Sequence, residues 1–131
     1  MVCLDTSFII DIWRGKPEAI AIKNTLKQQE EIFTIATPVI MELAAGAQLS
    51  ERIESEKQKI RQFLLDNTIL HFDAESAFRA GEIRADLEKR GEEIDAEDIM
   101  IGAIAIQNGE TVVTRNVKHF KKIKGLKIQG Y

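Results

Sequence analysis

The amino-acid sequence predicts an α/β fold, a three-layer α/β/α sandwich around a central, mostly parallel sheet. Three observations carry that expectation. Apolar runs of strand length alternate with longer segments of helical periodicity, the pattern of parallel strands joined by helices. The segment from Asp95 to Gly109 is apolar almost all round, as a helix buried between other elements must be. No repeat, low-complexity tract or long linker interrupts the 131 residues, so residues 1–131 read as one domain able to bury a real core.

Val2 to Asp5 reads as the first strand. Thr6 or Ser7 caps a short helix carrying Phe8, Ile9, Ile10, Ile12 and Trp13, which Gly15 ends. Pro17 suits the first turn of a second helix with Ile20, Ile22 and Leu26 as its apolar positions. Ile32 to Ala36 is the next strand, and Thr37-Pro38 follows as cap and first turn of a third helix. Ser50 to Leu65 is a charged helix whose Ile53, Ile60 and Leu64 form a narrow apolar stripe. Thr68 to Phe72 is a third strand, after which Asp73 caps a helix running to about Arg90, with Gly91 as its stop. Asp95 opens the apolar helix and Gly109 closes it. Thr111 to Thr114 and Leu126 to Ile128 complete the strands.

Composition narrows the function. Hydrophobic residues make up 44% of the chain, which argues against disorder. No apolar run approaches the ~20 residues that span a bilayer, and the start shows no secretion signal. The single Cys3 cannot form an internal disulfide, which fits a cytoplasmic protein, and its apolar strand favours packing over reactivity. A net charge of −3 argues against a duplex-coating nucleic-acid binder. Arg115, Lys118, His119, Lys121, Lys122, Lys124 and Lys127 nonetheless form one basic stretch, either a phosphate-facing surface or a solvated one.

Three acids are misfits in apolar settings. Asp5 closes Met1-Val2-Cys3-Leu4, Glu42 stands inside Val39-Ile40-Met41-Glu42-Leu43-Ala44-Ala45, and Asp98 precedes Ile99-Met100-Ile101. A buried carboxylate costs several kcal/mol or more unless it is paired, hydrogen-bonded or bound to a metal. With few cations nearby, three such acids suggest a shared cation. Asp5 lies at the carboxyl end of a strand, where ligand sites of such sheets occur, and Thr6 or Ser7 can do the capping instead of it. Glu42 alone reads as an ordinary boundary residue, although Ala45 and Gly46 leave room beside it. Asp98 has an equally good structural explanation at the third position of its helix, with Asp95 as the cap. Thr114 and Asn116 offer oxygens usable by a hard cation, while Asn116 is also a common turn residue. His71 and His119 lie far apart and show no metal-ligand spacing.

Taken together these residues resemble the PIN domain. Leu4-Asp5-Thr6-Ser7, Glu42 after a Thr-Pro helix start, Asp98 before Ile-Met-Ile-Gly-Ala-Ile-Ala, and Thr114-Arg115-Asn116-Val117-Lys118-His119-Phe120 match its ordered motifs over essentially the whole chain. The match is nearest to the VapC-type branch, single-domain toxin ribonucleases of type II toxin–antitoxin pairs. The resemblance implies a metal-dependent endoribonuclease holding one or two Mg²⁺ or Mn²⁺ ions. By matched position Asp5, Glu42 and Asp98 are the metal ligands, and Asn116 joins them in the catalytic set, where many members carry a fourth acid. Asp95 is left to capping. An RNA substrate, a cognate antitoxin and a homodimer are also implied.

The expected chemistry is phosphodiester hydrolysis by metal-activated water, with Arg115, Lys118 or Lys121 holding phosphates of a single-stranded or looped RNA. Phe8, Ile12, Trp13, Ile53 and Ile60 are candidates for the groove that accepts the antitoxin, with core packing preferred for Phe8. Two rivals remain open: a PIN-like module that binds RNA or protein without cutting, and an aspartate-nucleophile phosphatase. The phosphatase would want a second Asp where Ser7 stands.

Overall fold

The computed structural model describes residues 1–131. Its strands are β1 (Val2–Leu4), β2 (Phe33–Ala36), β3 (Thr68–Leu70), β4 (Thr111–Val113) and β5 (Lys127–Gln129). They form one sheet in the order β3-β2-β1-β4-β5, and every adjacent pair is parallel. The helices are α1 (Thr6–Trp13), α2 (Pro17–Gln28), α3 (Thr37–Gln48), α4 (Ile53–Leu65), α5 (Ala74–Lys89), α6 (Ala96–Gln107) and α7 (Val117–Phe120). The expected α/β/α architecture is present, and the sheet is wholly rather than mostly parallel.

The strand order explains where a site can form. The chain starts in the middle of the sheet, winds outward through β2 and β3, then crosses back to place β4 on the other side of β1. The β1–β4 junction is therefore a topological switch point, where ligand sites of such sheets form beyond the carboxyl ends of the strands. Asp5 N–H donates to Val113 O at 3.0 Å, which carries the pairing one step past β1 and sets Asp5 beside Thr114.

The central position of β1 follows from its composition, since Val2, Cys3 and Leu4 are all buried. Phe8, Ile9, Ile35, Val39, Ile101, Ile104 and Phe120 pack around it from both layers. The helix α6 is the buried one, as its all-round apolarity requires: Ile99, Ile101, Gly102, Ala103, Ile104 and Ala105 are all covered. Gly109 stops it in the left-handed conformation, with φ of 66°.

Several local expectations need correction. The backbone N-cap of α1 is Asp5, and Thr6 and Ser7 lie inside the helix. Thr37 also lies inside its helix, and its hydroxyl accepts the Phe72 N–H at 3.0 Å instead of capping α3. The helix α4 begins at Ile53 rather than Ser50, and β3 ends at Leu70, which leaves His71 exposed in the following loop. The single turn α7 was not foreseen. Asp73 does cap α5, in a reciprocal box with Ser76.

Candidate active site

Asp5 is 2% exposed, and two hydroxyls serve its carboxylate. Ser7 Oγ and Thr114 Oγ1 each donate to Asp5 Oδ2 at 2.8 Å. The backbone aims both protons. Arg115 N–H donates to Ser7 Oγ at 3.1 Å and Asn116 N–H to Thr114 Oγ1 at 2.9 Å, so each hydroxyl has its acceptor side occupied and its proton free for Asp5. The Asp5 side chain makes no cap bond to α1, so the capping explanation falls away.

Glu42 reaches the same region from α3, where Thr6 Oγ1 donates to its Oε1 at 2.8 Å. Partial burial raises its pKa, the Thr6 bond opposes this, and the charges of Asp5 and Asp98 raise it further. Asp98, at the third position of α6, is buried and pushed up to about 6, first by burial and then by Asp5, with His119 working against the shift. The three acids thus sit within one another's electrostatic field. No Lys or Arg forms an ion pair with any of them. Asn116 is half-buried at the start of α7 with no side-chain cap bond, on the turn that orients Thr114.

A PIN-domain family model matches residues 2–126. Ribonuclease VapC2 of Rickettsia felis is 30% identical over 98% of this chain and 96% of its own length. The tRNA(fMet)-specific endonuclease VapC of Salmonella typhimurium is 31% identical over the same shares. The solved structure of DNA-bound VapBC from Salmonella typhimurium superposes with a TM-score of 0.89 at 30% identity, covering 99% of this chain and 98% of that one. This chain belongs to the PIN-domain family.

Within this PIN domain the structure adds two residues to the site region: Asp11, which the sequence did not single out, and His119, whose sequence spacing argued against a ligand role. Asp11 is wholly buried; its Oδ1 meets Arg115 Nη1 at 2.8 Å and Lys16 Nζ at 3.4 Å, and Tyr131 OH donates to its Oδ2 at 2.6 Å. Burial works to raise the Asp11 pKa, but the Tyr131 hydroxyl and the two cations prevail and hold it below its usual value. The signal was present in Ile9-Ile10-Asp11-Ile12, the same acid-in-apolar misfit that marked Asp5. One guanidinium nitrogen of Arg115 is thus paired with Asp11, while the side chain remains 45% exposed. Lys122 and Lys124 pair with Glu92 and Asp86, whereas Lys118 and Lys121 are exposed and make no ion pair.

His119 is the second addition. Its Nδ1 lies 3.2 Å from Asp98 Oδ2, and with Asp95 it completes the one group of three metal-capable side chains whose ligand atoms fall within 4.8 Å of one another. The separation of His119 from other ligands in the sequence hid this, because α7 brings it back over the start of α6. Asp95 stands at the N-cap but makes no cap bond, so its assignment to side-chain capping is also corrected.

The PIN domain has no helix long and apolar enough to cross a membrane. Of the apolar groove candidates, Phe8 and Ile60 are buried core residues and are withdrawn. Ile12 and Trp13 remain half-buried and line, with Phe33 and Phe63, a groove of about 550 Å³. Trp13 stands edge-on to Phe63, with ring centroids 5.5 Å apart.

Proposed function

We propose that this PIN domain is the endoribonuclease toxin of a VapBC-type toxin–antitoxin pair and that it cuts RNA with a divalent ion held by Asp5, Glu42 and Asp98. The observation that carries this reading is the gathering of three acids, two of them buried, at the β1–β4 switch point with no ammonium or guanidinium to pair them. Such a set is electrostatically incomplete. Its oxygen donors suit Mg²⁺ or Mn²⁺.

When bound, the ion would supply Lewis acidity and lower the pKa of a water to the neutral range. The protein residues have separate tasks. Ser7 and Thr114 donate to Asp5 and fix its carboxylate plane. Thr6 steadies Glu42. Asn116 adds an uncharged amide where a fourth acid is common, so the second ion of a pair is the weaker one. Lys118 and Lys121 would bind flanking phosphates of a single-stranded RNA, which makes affinity fall with salt. The groove beside Trp13 and Phe63 would take an apolar antitoxin segment, and the toxin would form a homodimer, which light scattering after size exclusion checks.

The test is cleavage of an RNA panel that includes initiator tRNA, in Mg²⁺, in Mn²⁺ and in chelator. Cleavage that needs the ion and is lost in Asp5→Asn supports the reading. Equal cutting by wild type and Asp5→Asn, or binding without cutting in any ion, overturns it, the second outcome in favour of a non-cleaving module.

A further inference from the structure

The hydrogen bonds around Asp98 leave it under-satisfied. Its side chain is 10% exposed, and its one side-chain partner is His119, at 3.2 Å. That is longer than the ~2.7–2.9 Å of a charge-assisted hydrogen bond. It also matches the spacing of adjacent ligands around one ion, about 3 Å when metal–ligand bonds are ~2.0–2.2 Å long. Opposite ligands would be ~4.2 Å apart by the same bond lengths. Asp95, Asp98 and His119 present their ligand atoms within 4.8 Å of one another, and a small rotation of the exposed Asp95 and His119 side chains closes them to that spacing.

The neighbours make a simple ion pair a poor full account. Asp95, of a residue type that caps helices well, makes no cap bond and instead joins this group. Asp98 and Asp95 together bring two negative charges to the start of α6, where the helix dipole contributes only about +0.5. His119 comes from a different element, α7, and is half-exposed, so nothing in the core demands its position.

We propose that His119 Nδ1, Asp98 and Asp95 form a ligand set for one divalent ion of the imidazole-accepting class, such as Mn²⁺, Co²⁺ or Zn²⁺, in preference to Mg²⁺. Two carboxylates and one imidazole, with positions left open, make the donor set of a transition-metal site, whereas Mg²⁺ favours oxygen alone. Asp98 is common to this set and to the one proposed with Asp5 and Glu42. The inference thus rests on that reading only for its link to catalysis; the binding claim stands by itself.

The experiment is Co²⁺ titration of the full chain, followed by visible absorption and by the paramagnetically shifted imidazole signals. His119→Ala and Asp95→Asn are run beside wild type, with Mg²⁺ as competitor. Wild type should show one shifted imidazole, absent in His119→Ala. Both variants should bind Co²⁺ about tenfold more weakly or worse, while the Mg²⁺ affinity of His119→Ala stays within about twofold because an all-oxygen site does not use the imidazole. Co²⁺ affinity unchanged in both variants, or no Co²⁺ binding by wild type, overturns the proposal. His119 is half-exposed, so loss of folding is not at issue, and thermal melts verify this. RNA cleavage is measured separately. Cleavage lost in Asp5→Asn but Co²⁺ binding indifferent to His119 would leave the ribonuclease standing and remove this site. The reverse result would do the opposite.

Discussion

The two ends of the sheet each bury an acid, and they bury it differently. At the carboxyl end Asp5 receives two hydroxyl donors and stands in the field of Glu42 and Asp98. At the amino end Glu110, just before β4, is 3% exposed; Thr34 Oγ1 donates to its Oε1, while Oε2 has no partner. Burial of a carboxylate alone therefore does not mark a site. What separates the ends is company: clustered like charges ask for a cation, whereas a solitary acid asks only for a donor.

The sharpest way to break that contrast is a matched pair of amides. Asp5→Asn should lower RNA cleavage about 100- to 1000-fold, the scale of losing one preorganised electrostatic group. Glu110→Gln should leave cleavage within about twofold, since the switch point lies at the other end of the strands. A comparable fall in both, measured as kcat/KM on one RNA, would end the distinction.

Thr34→Val sharpens the amino end. It removes the only donor to Glu110 and should destabilise the fold by about 1–3 kcal/mol in urea unfolding, with cleavage unchanged. At the carboxyl end the effect runs through pH. The Asp98 pKa is raised from 3.8 to about 6 in the folded chain. Its contribution to stability is present below its unfolded value and is lost as pH rises through the folded one. In chelator, wild type should therefore lose stability relative to Asp98→Asn between about pH 4 and 6, and Mn²⁺ should restore it. A flat difference between the two proteins over that window would refute the shared field. The smallest effect is expected at Asp11, where Tyr131→Phe removes one hydroxyl donor at a cost of about 1 kcal/mol, read by thermal melting.

Much of this was legible in the residues. Alternating apolar runs produced the layers, and the all-round apolarity after Asp95 identified the buried helix. Asp5 stood out as an acid closing an apolar strand at its carboxyl end, although Thr6 and Ser7 do not do the capping expected of them. Glu42 was not legible alone, since a boundary Glu looks the same whether its carboxylate meets water or Thr6. His119 was invisible because its partners lie on α6, and only the fold of a single turn, α7, closes that distance. Glu110 was not singled out because its hydrogen-bond partner, Thr34, lies 76 positions away on β2, across β1 in the sheet.

The hydroxyl that Thr114 lends to Asp5 spans 109 positions of the chain. During synthesis β1 emerges long before β4, and a single domain folds as a unit. Until β4 docks against β1, Asp5 lacks Thr114 and the Arg115 amide that aims Ser7. A copy truncated before β4 would hold Asp5 and Glu42 without the donors that set Asp5.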